Sequence, residues 1–280
     1  MLAVALGLGS SLCWGLADFL GGVQARRVPL AAVMLVSQAV GLLVVVGVVV
    51  AVGDAPPAGN ALLYAALGGA AGVLALSAFY HALAIGTMSV VAPISATGAA
   101  VPVLVGLAAG DRPSAFQLAG IAAVVVGVVL ASREAHEDLA RASAARASVL
   151  LALVAALGFG TFFVGLDAAT DESVAWAMVA ARSAGFGLLA VGLLALRPRL
   201  AITPADVPAL ALVGALDVSA NGLIALATTE GLLSVVSVLG SLYPVTTVLL
   251  AWAVLHERVR RVQAVGIVVA LGGVVLIAGG

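Results

Sequence analysis

The chain has 280 residues, of which 64% are hydrophobic and 9% charged, and its mean hydropathy is +1.26. These values lie far from the averages of soluble domains, so we exclude a soluble protein and predict an integral membrane protein. The net charge of −1 and the absence of a basic run exclude a nucleic-acid-binding surface. The one cysteine, Cys13, excludes an internal disulfide.

Long apolar runs follow one another along the chain, separated by charged residues, Gly or Pro. The runs are apolar at odd and even positions alike, which favours membrane helices of about 20 residues over alternating barrel strands. We therefore predict an all-α membrane protein with ten transmembrane helices. The predicted spans are Leu2 to Val23, Leu30 to Val52, Ala61 to Ile85, Met88 to Ala109, Ala115 to Ala131, Ala147 to Ala169, Val174 to Leu196, Val207 to Thr228, Leu232 to Leu255 and Val262 to Ile277.

The end of the chain repeats a stretch in its first half. A shift of 146 positions superposes an acidic–Arg pair, a Gln and several Gly-containing segments, and such matches are improbable from apolar composition alone. The superposed residues are Asp111-Arg112 on Glu257-Arg258, Gln117 on Gln263, Gly120-Ile121 on Gly266-Ile267, and Gly127 to Leu130 on Gly273 to Leu276. At an offset of 145, Ser89-Val90-Val91 falls on Ser234-Val235-Val236. The chain is thus predicted to contain two copies of one unit.

Each copy holds five predicted spans, so the second copy enters the membrane from the side opposite to the first. The two copies are then inverted repeats, related by a pseudo-two-fold axis in the membrane plane. We assign residues 1–132 to the first repeat, residues 133–146 to a polar linker, and residues 147–280 to the second repeat.

The chain contains no lysine, so the distribution of its arginines among the connections indicates the orientation in the membrane. The connections after odd-numbered spans contain Arg26, Arg27, Arg133, Arg141, Arg146, Arg197, Arg199, Arg258, Arg260 and Arg261, and the other loops contain Arg112 alone. The positive-inside rule places the arginine-rich connections in the cytoplasm and both termini outside.

The arrangement of spans and motifs resembles the EamA-type branch of the drug/metabolite transporter superfamily. The resemblance covers essentially the whole chain and is sharpest at Leu242-Tyr243-Pro244 followed by Glu257-Arg258. The opening segment from Trp14 to Gly22 is similar to the first span of many bacterial members, whereas the first repeat has Gly98 where the second has Pro244. The resemblance implies secondary transport of a small metabolite or drug, commonly export. Members are usually drawn with cytoplasmic termini, opposite to the orientation that the arginines indicate.

Ionisable residues within predicted spans are candidates for function because a charge in hydrocarbon is costly. Asp18, Arg182 and Asp217 meet this condition. Trp14 and Asp18 share one helical face, and an aromatic ring beside a carboxylate suits an organic cation or amine. The structural alternative is that Asp18 acts as a cap or forms a salt bridge near Arg26 and Arg27 at the membrane surface.

Asp217 and Asn221 have the same four-residue spacing on span eight, and together they suit a polar substrate group and proton exchange. The alternative is a buried interhelical pair of Asp217 with Arg182. Two acidic residues against one arginine leave one carboxylate unpaired. Removal from water disfavours its charged form, so Asp18 and Asp217 are candidates for proton coupling.

Further polar residues could line a substrate pathway or form interhelical hydrogen bonds. They are Gln38 in span two, Tyr80 in span three, and Ser241 and Tyr243 in span nine. Helix breaks at depth mark a central pathway or a kink made for packing. We predict such breaks at Pro93, Gly98, Pro102 and Pro244. The acidic–Arg turns that follow are interpreted as structural caps rather than gates.

The buried charges and the two repeats favour secondary active transport by alternating access. Spans five and ten, which have almost no polar side chains, would be peripheral to the transport pathway. The histidines lack the clustering of a membrane enzyme, and no long loop offers a docking domain for a receptor or scaffold, although a channel stays an alternative. We expect a small-molecule substrate such as an amine, an amino acid or a similar polar metabolite. We expect no cofactor, metal or nucleic-acid partner, and a monomer or homodimer in the inner cell membrane.

Overall fold

All described secondary structure is helical. The computed structural model describes residues 2–53, 55–57, 60–101, 105, 114–131, 139–170, 173–230, 240, 242–257 and 259–279. These residues form ten α-helices and a short 3-10 turn at Thr97–Ala99. The helices are α1 (Leu2–Ala25), α2 (Leu30–Val52), α3 (Ala61–Ile85), α4 (Met88–Ala96), α5 (Ala115–Ala131), α6 (Leu139–Thr170), α7 (Val174–Leu196), α8 (Val207–Glu230), α9 (Tyr243–Leu255) and α10 (Arg261–Gly279).

Continuous apolar sequence forms helices here because a helix satisfies its own backbone hydrogen bonds in a medium without water. Within the described residues, α1, α2, α3, α6, α7 and α8 are long and apolar enough to cross a membrane. Helices α5, α9 and α10 carry shorter apolar stretches. Large apolar side chains such as Val50 and Leu196 are exposed on the outer faces of these helices, as expected for surfaces that contact lipid.

Part of the predicted polar linker is helical. The segment from Leu139 to Arg146, predicted to belong to the polar linker, is helical and forms the first two turns of α6. It is rich in Ala and Arg, both strong helix formers, so a polar composition does not interrupt the helix. The earlier residues of the linker, 133–138, lie outside the part of the chain that the structure describes.

The predicted helix breaks differ from one another in the structure. Helix α4 continues through Pro93, contrary to the prediction, because the missing N–H deprives only the Ser89 carbonyl of a helical partner. Gly98 lies in the 3-10 turn that follows α4. Pro244 lies in the first turn of α9, where a helix needs no N–H donor. Pro102 is outside the described residues.

The packing of the helices follows a two-fold pattern. Helix α1 packs on α8 and α9, and its repeat equivalent α6 packs on α3 and α4. The equivalent helices α2 and α7 pack on each other, as do α5 and α10. Helices α5 and α10 otherwise contact mainly α4, so this pair is peripheral to the other eight helices.

Two glycines show the same symmetry at the level of single atoms. A Cβ atom added to Gly15 in α1 would lie 2.7 Å from the Tyr243 carbonyl oxygen of α9. A Cβ atom added to Gly160 in α6 would lie 2.6 Å from the Gly98 carbonyl oxygen. These two pairs superpose at an offset of 145 residues. Each repeat therefore uses a glycine to bring its first helix against the fourth segment of the other repeat.

Candidate functional site

Three helices are joined by a hydrogen-bonded cluster at Arg182. One guanidinium nitrogen, Nη2, donates to Oδ2 of Asp217, so α7 and α8 are linked by an ion pair. The other, Nη1, donates to Oε1 of Gln38 in α2 at 3.2 Å. The side chains of Arg182 and Asp217 are only 13% and 18% exposed. The buried interhelical pair considered from the sequence is therefore present, and it includes Gln38.

Glycines bring the backbones of these helices close enough for the cluster to form. A Cβ atom on Gly69 of α3 would overlap the backbone of Ala181, beside Arg182, and one on Gly214 of α8 would overlap the backbone of Ser37 in α2. Gly69 and Gly214 are 145 residues apart, so they are equivalent positions of the two repeats. Close contact without side chains places the longer side chains of neighbouring residues within reach of one another.

Asp18 differs from Asp217 in its surroundings. It lies in α1 and is 8% exposed, and it makes no ion pair with any residue that the structure describes. Arg26, the surface partner considered from the sequence, instead binds Glu257. Of the three charges, Arg182 and Asp217 compensate each other, and the carboxylate of Asp18 is left over.

Aromatic side chains from three helices contact one another at Trp14, one helical turn before Asp18. The ring of Trp14, one turn earlier in α1, makes edge-to-face contacts with Tyr243 of α9 at 6.2 Å between centroids and with Phe163 of α6 at 6.5 Å. Tyr243 is within electrostatic reach of the Asp18 carboxylate. Phe163 occupies the position equivalent to Asp18 in the second repeat, at an offset of 145. The two halves therefore contribute a carboxylate and an aromatic ring from equivalent positions.

Tyr80 completes the cluster from α3. Its side chain is almost fully buried and lies within electrostatic reach of Asp18, Asp217 and Arg182. Its ring packs against Gly21 of α1, where an added Cβ atom would lie 2.7 Å from the hydroxyl oxygen. The sequence named Tyr80 as a candidate, but the need for glycine opposite its ring is visible only in the structure.

The remaining candidates occupy different positions. Asn221 is buried, but its amide nitrogen donates to the backbone carbonyl of Asp217 at 2.7 Å and not to the carboxylate. Ser241 lies outside the described residues. Thr247 was not a candidate, yet its hydroxyl donates to the Gly15 carbonyl oxygen across the interface between repeats at 3.3 Å. No periodicity distinguishes Thr247 from other threonines in an apolar helix.

The architecture thus defines a class: a multi-pass helical membrane protein built from two five-helix units, with buried charges where the units meet. The family model described as the EamA-like transporter family matches residues 1–133 and 146–279. The chain belongs to this family, and through it to the drug/metabolite transporter superfamily. It is therefore a membrane transporter of that type.

A solved structure gives independent support for the fold alone. The structure titled "Crystal structure of protein" is similar to this chain with a TM-score of 0.65 and 17% sequence identity. The similarity covers 98% of this chain and 95% of the other. Among curated proteins, none is similar enough to count as a match.

Proposed function

We propose that this chain is a secondary active transporter in the inner cell membrane, and that it exports a small organic cation by alternating access. The observation that carries the proposal is the buried carboxylate of Asp18, which pairs with no cation in the part of the chain that the structure describes. A buried carboxylate without a cation is costly, and a positively charged substrate group or a proton removes that cost. Asp18 is accordingly assigned the binding of the substrate's charge.

The aromatic side chains near Asp18 support a cation as substrate. The faces of Trp14 and Tyr243 attract cations electrostatically, and the attraction is larger where water is excluded. A zwitterion such as an amino acid also needs a cation for its own carboxylate. Among the described residues, Arg182 is the cation that could bind such a carboxylate, but its guanidinium already donates to Asp217 and Gln38. This favours an amine or quaternary ammonium group over an amino acid.

The same geometry supports one proton-coupling residue rather than two. The sequence nominates both Asp18 and Asp217, but the carboxylate of Asp217 is bound to Arg182. A proton and a cationic substrate then compete for Asp18 alone. Mutually exclusive occupancy of one carboxylate by the two cargoes gives antiport, in which entry of protons drives export of the cation. The contacts of α1 and α6 with the opposite repeat are those that change when the two repeats rock.

The test uses three permanently charged probes on one scaffold, because weak bases equilibrate across membranes without a carrier. Benzyltrimethylammonium is the cation, phenylalanine betaine the zwitterion and benzylsulfonate the anion. Purified protein in liposomes with an acidic lumen should accumulate the cation only, with saturation and with counterflow, which a channel does not show. Asp18→Asn should lower this uptake at least tenfold. Asp206→Asn, a control in the α7–α8 connection, should retain it.

Two results would contradict the proposal. One is transport of the cation by Asp18→Asn at the rate of the unaltered protein. The other is uptake of benzylsulfonate equal to that of benzyltrimethylammonium, because a site centred on a free carboxylate repels an anion.

A further inference from the structure

The turn between α9 and α10 places a carboxylate at the start of a helix in the other repeat. Oε1 of Glu257 accepts a hydrogen bond from the backbone N–H of Met88 at 3.2 Å. Oε2 accepts from the N–H of Ser89 and from its hydroxyl, each at 3.1 Å. Met88 and Ser89 open α4, whose own N-cap residue, Thr87, makes no side-chain capping bond. The second repeat therefore supplies the N-terminal cap of a first-repeat helix, a position that favours negative charge.

Arg26 extends this contact to two more helices. Its Nε donates to the Leu83 carbonyl oxygen at 3.0 Å and its Nη2 to the Gly86 carbonyl oxygen at 2.9 Å, both at the C-terminal end of α3. The same Nη2 lies 3.4 Å from Oε1 of Glu257. A cation at the end of α3 and an anion at the start of α4 each complement a helix dipole. Together they join the ends of α1, α3 and α4 to the α9–α10 turn.

The backbone at the end of α9 directs Glu257 toward this position. His256 adopts the left-handed conformation, with φ 54° and ψ 30°, and reverses the chain after the last helical turn. The N–H of Glu257 then donates to the Ala251 carbonyl oxygen at 3.3 Å. A left-handed residue other than glycine costs about 1 kcal/mol or more, so the surrounding contacts must maintain this turn.

We propose that Glu257, with Arg26, is a latch between the repeats that keeps the arginine-rich side of the transporter closed. The proposal rests on the alternating access proposed above. When the repeats separate on this side, the α9–α10 turn moves away from the start of α4, and the hydrogen bonds to Glu257 must break. A cap formed within one repeat would move with that repeat and oppose nothing.

The repeat in the sequence indicates that the latch is one-sided. Glu257 and Ser89 have equivalents in Asp111 and Ser234. The position equivalent to Arg26, at an offset of 145, is Asp171, an acidic residue. The basic residue of the latch is thus present on one side of the protein, and its repeat equivalent on the other side is acidic. The sequence therefore does not provide the equivalent of the Arg26–Glu257 ion pair on the other side.

The experiment measures the separation of the repeats directly. Spin labels are attached at Arg27→Cys in the first repeat and Val262→Cys in the second, both exposed, in a Cys13→Ser background. Double electron–electron resonance in lipid nanodiscs gives the ratio of long to short distances. Glu257→Gln should raise that ratio about tenfold, which corresponds to about 1.4 kcal/mol. Adding benzyltrimethylammonium should change the ratio in the unaltered protein.

Asp206→Asn is the matched control. Asp206 lies in the α7–α8 connection on the same side, and it too accepts capping hydrogen bonds, from the N–H and hydroxyl of Thr203, but within one repeat. Its removal should leave the distance ratio unchanged. Ser89→Ala, which removes one of the hydrogen bonds to Glu257, should shift the ratio by about twofold to threefold, and it keeps the test valid if Glu257→Gln does not fold.

Failure of the latch and failure of the proposed function give different results. If the unaltered protein shows two distances that respond to benzyltrimethylammonium, but Glu257→Gln and Ser89→Ala leave their ratio unchanged, the latch is refuted and alternating access stands. If every variant shows one distance that the cation does not change, alternating access is refuted and the latch with it.

Discussion

The ion pair of Arg182 and Asp217 allows a quantitative test of how the bundle is held together. Replacing Asp217 by Asn leaves the guanidinium with Gln38 as its remaining described partner, and replacing Arg182 by Met leaves a buried carboxylate uncompensated. Breaking a fully buried pair costs about 3–5 kcal/mol. These side chains are 13% and 18% exposed, and measured hydrogen bonds between membrane helices are weaker, averaging about 0.6 kcal/mol.

Between these limits, we expect each single variant to lower the free energy of unfolding by about 2 kcal/mol. The double variant Arg182→Met with Asp217→Asn should lose less than the sum of the two, because it leaves neither charge behind. The difference defines an interaction energy of about 1–2 kcal/mol.

Denaturant unfolding of the purified protein in micelles measures the cycle, provided that the transition is two-state. Asp18→Asn is the control, since this carboxylate has no cation among the described residues, and we expect unchanged or raised stability. Additive effects of the two single variants, each below about 0.5 kcal/mol, would refute the assignment of the pair as a structural link.

Two further predictions follow from contacts outside the pair. Gly69→Ala should lower stability by about 1–3 kcal/mol, because its Cβ would overlap the Ala181 backbone, whereas Gly47→Ala, with no atom within 4 Å, should be neutral or stabilising in the same unfolding assay. Hydrogen bonds from Thr203 lower the pKa of Asp206 below its usual value. Any stability that these hydrogen bonds contribute is therefore present above the unfolded pKa and is lost as the pH falls through the lowered folded pKa. Comparing the unfolding of Asp206→Asn with that of the unaltered protein across acidic pH measures this loss. A stability difference that grows as the pH falls would contradict the reasoning.

The helices themselves were largely predictable from the sequence. The bounds of α2, α3, α5 and α7 are those predicted, because apolar runs end where Gly, Pro or charged residues begin. Helix α6 begins at Leu139, before the predicted span that starts at Ala147, since helix propensity continues through the polar segment before the span. Pro93 does not end α4, since a proline removes one backbone N–H donor and leaves the other hydrogen bonds of the helix in place.

The candidate site was predictable only as a set of residue types. Asp18, Arg182 and Asp217 stand out in any reading because charge is rare in apolar sequence. Which carboxylate binds the arginine depends on how closely α2, α7 and α8 approach one another. Gly214, against the backbone of α2, and Gly69, against the backbone of α7, allow that close approach. A spacing along one helix carries no information about the rotation of the helix beside it.

The role of Glu257 shows the same limit. Its turn was interpreted as a structural cap, and the sequence alone does not reveal that the capped helix is α4 of the other repeat. Hydrophobicity along the chain determines which segments are helical and membrane-embedded, because the cost of burying backbone and charge is a local property of composition. The partners of the few polar groups are decided only by the tertiary structure, because their pairing depends on distances of a few ångströms between helices that are far apart in the chain.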